Sequence, residues 1–135
     1  MRLILFSLVI FAGQTVAASE ASVERGRYLA EEVAQCQACH TPQNETGEYD
    51  RTRWMKGATL NFAPIKPVEG WHKSAPDLTP GSRLWNVWKE EGLVKYMQTG
   101  LTPRGKKADP PMPAYKLSKE DAQAVIDYLK SLETK

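Results

Sequence analysis

The only two cysteines of this 135-residue chain, Cys36 and Cys39, lie three positions apart, and His40 directly follows the second one. The chain has one other histidine, His72. Thiol and imidazole side chains form disulfides, bind transition metals or take part in redox reactions. Residues 36–40 are therefore the first place to expect chemistry in this protein.

Three common roles of paired cysteines fit this spacing poorly. A disulfide between Cys36 and Cys39 would close a very small ring, which stabilises a fold little. A zinc site made by both cysteines, His40 and His72 would need the neighbouring residues 39 and 40 to converge on one tetrahedral ion. A thioredoxin-like dithiol lies beside a strand at the start of a helix. These cysteines instead lie at the end of a predicted helix, in a chain without predicted strands.

The pattern C-x-x-C-H is typical of a covalently attached c-type haem. Positions i and i+3 share a helix face, so the thiols of Cys36 and Cys39 can each form a thioether with one porphyrin. The imidazole of His40 then lies under the ring, where it can bind iron. We therefore predict one haem c, with its iron, bound covalently at these residues.

The sequence after residue 18 favours helices separated by a long irregular stretch. Apolar periodicity predicts helices over about residues 22–36, 88–98 and 118–133. Ser22 is the expected cap of the first helix and Ser118 of the last, and Gly100 follows the second as a left-handed residue. Period-2 alternation is almost absent, so we predict an all-α fold without a sheet.

Residues 41–84 contain five prolines and no sustained periodicity. An irregular segment of about forty residues is uncommon in a compact domain unless it has a function or something to pack against. A large apolar prosthetic group would supply the interior that this segment needs. The segment therefore strengthens the prediction of a haem.

The first 18 residues have the pattern of a secretory signal peptide. Arg2 precedes an apolar run over residues 3–12, and small residues lead to a cleavage site that we predict after Ala18, or else after Ala17. Ten apolar residues are too few to span a bilayer, which takes about 20. We therefore predict a signal peptide over residues 1–18. Residues 19–135 would form one exported, periplasmic domain without a membrane span.

The charge of the chain is nearly balanced once residues 1–18 are left out. Arg2 is lost with them, so 17 basic and 16 acidic residues remain. This balance speaks against nucleic-acid binding. The distribution is uneven, because residues 83–107 hold six basic and two acidic side chains.

Three segments carry a family resemblance. In chain order they are RGRYLAEEVAQCQACHTP, APDLTP and PPMPAYKLSKEDAQAVIDYLKSL. With them the chain resembles the single-haem class I cytochromes c, and among these the cytochrome domains that serve periplasmic dehydrogenases. The resemblance covers essentially residues 19–135. It implies the all-α class I cytochrome c fold, with first and last helices crossing near Gly26 and Tyr128, and iron held by a histidine and a methionine.

The second iron ligand has to come from Met55, Met97, Met112 or His72. Met112 lies in the segment DPPMPAY, where the prolines favour a stiff, extended strap that can hold a thioether in place. Met97 fits a helical core position, and Met55 fits a gap in the core. We predict Met112 as the ligand, with His72 or an open site as the alternatives.

The resemblance also implies neighbours for the haem. The backbone carbonyl of Pro76 is expected to accept a hydrogen bond from His40 and so orient the imidazole. Leu78 is expected to pack on the haem. Ala75 stands where the family usually has a glycine before this proline. The four tryptophans are expected to pack in the haem pocket and the core; they are Trp54, Trp71, Trp85 and Trp88.

Protein ligands on both sides of the iron leave no position for a substrate, so we predict an electron carrier and not an enzyme. The expected partners are redox proteins, with a dehydrogenase as donor and an oxidase or another cytochrome as acceptor. A basic rim for docking an acidic partner is a further hypothesis; its residues are Arg104, Lys106, Lys107 and Lys116. A fixed subunit of a dehydrogenase complex is one alternative. A gas sensor or peroxidase with a labile sixth ligand is another.

Overall fold

The computed structural model describes residues 18–132, so residues 1–17, with almost all of the predicted signal peptide, and residues 133–135 lie outside the described chain. In chain order the elements are α1 (Glu20–Tyr28), a π-helical turn (Leu29–Val33), α2 (Gln37–His40), a 3-10 turn (Arg51–Arg53), β1 (Ala58–Thr59), β2 (Ser74–Ala75), α3 (Arg83–Thr99) and α4 (Lys119–Ser131). The predicted all-α class is confirmed. Within the described residues, no helix is both long enough and apolar enough to cross a bilayer.

The first predicted helix, over residues 22–36, is wrong at both ends. α1 starts earlier because Ser19, and not Ser22, is its cap: the Ser22 N–H donates to Ser19 Oγ over 3.1 Å. The regular helix also ends early, and the Cys36 N–H bonds to the carbonyl oxygen of Ala30, 2.8 Å away, around the widened π-helical turn. The π-helical turn therefore ends the first helix before the cysteines, and a separate helical turn begins at the cysteines.

α1 and α4 cross at Gly26. A Cβ atom at this glycine would lie 1.8 Å from the carbonyl oxygen of Ala124, so the two backbones touch and no side chain fits between them. α4 begins after Ser118, whose Oγ accepts the Asp121 N–H over 3.0 Å, as predicted. The apolar stripe of α4 is buried and consists of Ala122, Val125, Ile126 and Leu129.

α3 is longer than the helix that the sequence predicts over residues 88–98. It starts after Ser82 and ends at Gly100, whose φ of 69° confirms the predicted left-handed residue. Lys89, with φ of 58° and ψ of 167°, breaks the helical geometry between the two halves. The sequence does not predict the first half because it is rich in tryptophan, asparagine and valine, which have modest helix propensity.

The segment between α2 and α3, residues 41–82, contains one small sheet. β1 and β2 form an antiparallel pair of two residues each, in which Ala58 faces Ala75. The prediction of no sheet is therefore wrong for this pair. Two residues are too few to produce a detectable alternation in a sequence.

One chain of hydrogen bonds ties this segment to the crossing of α1 and α4. The Trp54 Nε1–H donates to the Tyr128 hydroxyl over 2.9 Å, and that hydroxyl donates to the Glu31 carboxylate. Burial, together with the bond to Glu31, raises the pKa of Tyr128, so the phenol keeps its proton. The Arg51 guanidinium lies over the Trp54 ring, 4.2 Å from its centroid. Trp54 therefore anchors the segment to the helices.

Candidate functional site

The helices, the segment before α3 and the segment between α3 and α4 line a cavity of about 780 Å³. This volume lies within the roughly 300–1,000 Å³ of ligand and cofactor sites. The walls are mostly apolar, and their side chains include Leu60, Leu84, Trp85, Leu93, Ile126 and Leu129. The two thiols, the imidazole and the thioether that the sequence singled out line the same cavity; they belong to Cys36, Cys39, His40 and Met112.

α2 sets the direction of the two thiols. Gln35 has a φ of 50°, which interrupts the helical path, and one new helical turn follows. The Cys39 and His40 N–H groups both bond to the Cys36 carbonyl oxygen, at 3.2 and 2.9 Å. Residues three apart lie on one face of such a turn. Both cysteines therefore line the cavity from the same turn, although this turn is separate from α1.

Both cysteines are free thiols. Burial raises the pKa of Cys36 to about 11 and also raises the pKa of Cys39. A redox-active dithiol needs a lowered pKa, so the thioredoxin-like alternative gains no support. Among residues 18–132, no three His, Cys, Asp or Glu side chains are grouped so that they could hold a metal ion. The zinc alternative therefore gains no support either.

A backbone carbonyl from the segment before α3 orients His40. The ring is buried, and its Nδ1 lies 2.7 Å from the carbonyl oxygen of Pro76. A carbonyl only accepts hydrogen bonds, so Nδ1 donates and Nε2 keeps a lone pair. Burial lowers the pKa of His40, against the opposing effects of the Pro76 carbonyl and Asp77. A neutral imidazole with a free nitrogen is the form that can bind a metal ion.

The local fold explains how Pro76 reaches the imidazole. The Gly57 N–H donates to the His40 carbonyl oxygen over 2.8 Å. Gly57 has a φ of 82°, and a Cβ atom there would lie 2.8 Å from a carbonyl oxygen of β2, so only glycine fits. The Leu78 N–H donates to the Met55 carbonyl oxygen over 2.8 Å. These bonds fold the segment against residues 36–40, with the Pro76 carbonyl oxygen at His40 Nδ1 and Leu78 lining the cavity.

Three of the four candidates for a second iron ligand line the cavity: Met97, Met112 and His72. The fourth, Met55, is fully buried in the hydrophobic core and is not among the lining residues. Met97 is a core residue of α3, and its carbonyl oxygen accepts the Leu117 N–H over 2.9 Å. Met112 is partly buried and lies outside the helices. Met55 thus lies in the core, as predicted, whereas Met112 lies at the cavity.

Residues 109–113 form the Met112 strap. Tyr96, on α3, donates a hydrogen bond from its hydroxyl to the carbonyl oxygen of Pro113 over 3.3 Å. Tyr96 is not among the site residues that the sequence predicts. Its spacing from Leu93 and Met97, three and one positions away on a helix, is the signal that could have placed it at the cavity.

Two of the predicted tryptophans, Trp85 and Trp88, line the cavity. The Trp85 Nε1–H donates to the carbonyl oxygen of Leu78 over 2.7 Å, so this polar atom is satisfied by the protein itself. Trp54 and Trp71 are not among the lining residues. Their contribution is to the packing of the segment before α3.

The charged part of the cavity lining is mainly basic. Arg104, Lys106 and Lys107 line the cavity with exposed side chains, and Asp109 is the acidic residue beside them. Lys116, the fourth residue of the predicted basic rim, is exposed but is not among the lining residues. Three members of the predicted rim therefore lie at the cavity and one lies apart from it.

The residues at this cavity fit a covalently bound haem with iron. Two thiols on one helical turn, a neutral imidazole and a thioether supply the required sulfur and nitrogen atoms. The apolar walls suit a flat apolar ring, and the basic side chains suit its carboxylates.

Comparisons with known proteins bear on the same part of the chain. Residues 23–133 match the family model described as Cytochrome c. The chain is 33% identical to a "Diheme cytochrome c-type" protein of Cereibacter sphaeroides, over 79% of this chain and 34% of that protein. It is 31% identical to the "Fructose dehydrogenase cytochrome subunit" of Gluconobacter japonicus, over 82% of this chain and 22% of that protein.

A third relative is the "Gluconate 2-dehydrogenase cytochrome c subunit" of Pantoea cypripedii. It is 29% identical over 96% of this chain and 30% of that protein. The chain therefore spans about a third or less of the length of these three relatives.

Proposed function

This chain belongs to the cytochrome c family, and we propose that it carries single electrons between redox partners with one haem c held in its cavity. Electron transfer with a haem c and its iron is the function of this family. We further propose that the haem is bound by Cys36, Cys39, His40 and Met112. The observation that carries this proposal is that both thiols, the imidazole and the thioether line one apolar cavity. One C-x-x-C-H sequence supports one haem.

The thiols of Cys36 and Cys39 attach the ring by addition. Cys36 and Cys39 would hold the ring through two thioethers, each the product of adding one S–H across one vinyl group, so that no atom is lost. The bound haem supplies an iron that alternates between the ferrous and ferric states.

His40 and Met112 act as the two protein ligands of the iron. The hydrogen bond from His40 Nδ1 to the Pro76 carbonyl oxygen fixes the ring orientation and leaves Nε2 for the metal. A methionine opposite a histidine raises the reduction potential relative to harder ligands. With both positions taken by side chains, the site has no room for a substrate, which supports a carrier and not an enzyme.

Mass and spectroscopy test the attachment. The exported protein from a host that matures c-type cytochromes should be heavier than the bare polypeptide by one intact haem. It should also remain haem-stained on a denaturing gel. A colourless protein with the mass of the polypeptide alone would refute the proposal.

Two matched substitutions test the ligand. Met112→Leu should open the iron, so that the reduced protein binds carbon monoxide and the reduction potential falls. Met97→Leu, at another methionine that lines the cavity, should do neither. Carbon monoxide binding by the unmodified reduced protein would instead favour the gas sensor or peroxidase.

We also propose that the chain is exported to the periplasm and that residues 1–18 are removed on the way. The N-terminal pattern of charge, apolar run and small residues supports this step. Protein recovered from the periplasmic fraction should begin at Ser19. A mass that includes residues 1–18 would contradict it.

A dehydrogenase as electron donor is supported by the names of two relatives, which are cytochrome subunits of dehydrogenases. These names also favour a second candidate, in which the chain is a fixed subunit of such a complex. A tagged chain purified from its own cells distinguishes the two. A fixed subunit should retain a stoichiometric dehydrogenase that reduces the haem on addition of substrate, whereas a free shuttle should elute alone and react with an oxidase or another cytochrome.

The basic side chains at the cavity support docking to an acidic partner. The double variant Lys106→Glu with Lys107→Glu should slow oxidation by the anionic probe hexacyanoferrate(III) about tenfold at low salt. Oxidation by a cationic cobalt(III) complex should become faster. Lys66→Glu, an exposed lysine that does not line the cavity, is the matched control. Rates that do not respond to salt in the unmodified protein would argue against a charged docking surface.

A further inference from the structure

The Met112 strap has few means of fixing its own backbone. Pro110, Pro111 and Pro113 make up three of its five residues, and proline has no N–H to donate. The carbonyl oxygens of the strap therefore depend on donors from other parts of the chain. At one end this donor is the Tyr96 hydroxyl, which bonds to the Pro113 carbonyl oxygen.

His72 supplies the donors at the other end. Its backbone N–H donates to the carbonyl oxygen of Pro110 over 2.8 Å. Its Nε2 lies 3.1 Å from Asp109 Oδ2, and Nε2 is the donor because a carboxylate only accepts. His72 thus binds two consecutive residues of the strap, one through its main chain and one through its ring.

These contacts differ from the role of iron ligand, which the sequence leaves open for His72. The ring lines the cavity, but its Nε2 is engaged by Asp109 and the side chain is 62% exposed. Met112, three positions after Asp109, is partly buried and lines the cavity.

We propose that His72 is a positioning residue, whose two hydrogen bonds to Asp109 and Pro110 hold the Met112 strap so that the Met112 sulfur stays on the iron. This inference rests on the proposed function, because it requires Met112 to be a ligand. The Tyr96 bond holds the strap beyond Met112, so the methionine lies between two anchored points. The His72–Asp109 pair is exposed, and exposed pairs have modest energies, so the side-chain contribution is expected to be few-fold.

A double-mutant cycle with His72→Ala and Asp109→Ala tests the proposal. Both variants keep the backbone N–H of residue 72. The readouts are the long-wavelength absorption band of methionine sulfur on ferric iron and the affinity of the oxidised protein for added imidazole, which displaces Met112. Each single variant should bind imidazole roughly two- to fivefold more tightly and weaken the band. The double variant should match the stronger single variant, because both remove the same bond.

Conservative substitutions and a control separate positioning from general damage. His72→Gln keeps a donor and Asp109→Asn keeps an acceptor, so each should restore part of the imidazole resistance that the alanine variant loses. Lys66→Ala, on the same segment, should change nothing. Covalent haem content should stay the same in every variant.

Imidazole affinity that is unchanged in both single variants, or effects that add fully in the double variant, would overturn the positioning role alone. A missing methionine band in the unmodified oxidised protein would refute Met112 as ligand, and the positioning role with it. The two failures are therefore distinguishable.

Discussion

The crossing of α1 and α4 and the segment over residues 41–82 are held together in different ways. At the crossing, the backbone hydrogen bonds of each helix lie within that helix, and the backbones of α1 and α4 touch at Gly26. Polar contacts at the edge, from Arg25 to Asp121 over 2.9 Å and from Ser22 to Asp127 over 2.6 Å, add to this packing. The segment has a short strand pair, local turns, and single hydrogen bonds that join it to distant residues.

Because of this difference, we expect substitutions in the two regions to have different consequences. A change at the crossing acts on the global free energy of unfolding, because tight backbone packing cannot relax locally. A change in the segment acts on the cavity, because its bonds place Pro76, Leu78 and the Met112 strap. The helices therefore supply stability, and the segment sets the geometry of the site.

The largest effect is expected when Cys36→Ala and Cys39→Ala are combined. Without thioethers the protein should carry no covalent haem, and a cavity of about 780 Å³ would lack its apolar filling. Hydrogen exchange should then show loss of protection at the Gly57 and Leu78 amides. The Val125 amide, in α4, should keep more of its protection.

The single variant Cys39→Ala is the control for this experiment. It keeps one thiol and should retain a stained haem band on a denaturing gel. Equal loss of protection in α4 and in the segment would show that the two regions do not differ as we infer.

Gly26→Ala should have the next largest effect. The new Cβ would overlap the Ala124 carbonyl, so α1 and α4 must move apart. We expect a loss of about 3 kcal/mol in the free energy of unfolding, larger than the roughly 1 kcal/mol that alanine gains in helix propensity. Denaturant unfolding of the haem-containing protein measures it.

Gly92→Ala, in α3, is the matched control for Gly26→Ala. Its new Cβ would lie 3.1 Å from a ring carbon of Pro103 and 3.5 Å from the Cβ of Trp88, both side-chain atoms, so the change in stability should stay within about 1 kcal/mol. Equal destabilisation by the two variants would mean that the close backbone approach at Gly26 is not what lowers the free energy of unfolding.

Trp54→Phe should have a smaller effect, because it removes one hydrogen bond between the two regions. Loss of the donor to the Tyr128 hydroxyl should cost about 1 kcal/mol. The Tyr128 bond to Glu31 remains. Combining Trp54→Phe with Tyr128→Phe in a double-mutant cycle should give a coupling energy of similar size, and strict additivity would show that the bond contributes nothing.

The smallest effect is expected at an acidic residue of the segment and depends on pH. Hydrogen bonds from Thr52, and then the bond and charge of Arg53, lower the pKa of Asp50 from 3.8 to about 2. The stability from this carboxylate is therefore present above about pH 4 and is lost as the pH falls toward 2.

Asp50→Asn should therefore flatten the dependence of stability on pH between about 4 and 2, and Arg53→Gln should flatten it less. Unfolding curves at several pH values measure this slope. An unchanged slope in Asp50→Asn would contradict the assignment.

The sequence predicts the helical regions better than the segment between them. The cap at Ser118 and the left-handed Gly100 follow from local chemistry, and both are confirmed. The predicted start of α1 is wrong because Ser19 and Ser22 are both good helix caps. Ser19 caps the helix, and the Ser22 hydroxyl instead donates to Asp127 across the crossing. Local signals cannot decide between two caps when a distant partner selects one of them.

The sequence by itself determined the helical class, the C-x-x-C-H pattern and the chemical types available as ligands, because periodicity and short spacings are local properties. Only the tertiary structure decided that Met112 lines the cavity whereas Met55 lies in the core. It also decided that His72 bonds to the strap. Contacts between residues far apart in the chain depend on how the elements pack, and no pattern within a short window records that packing.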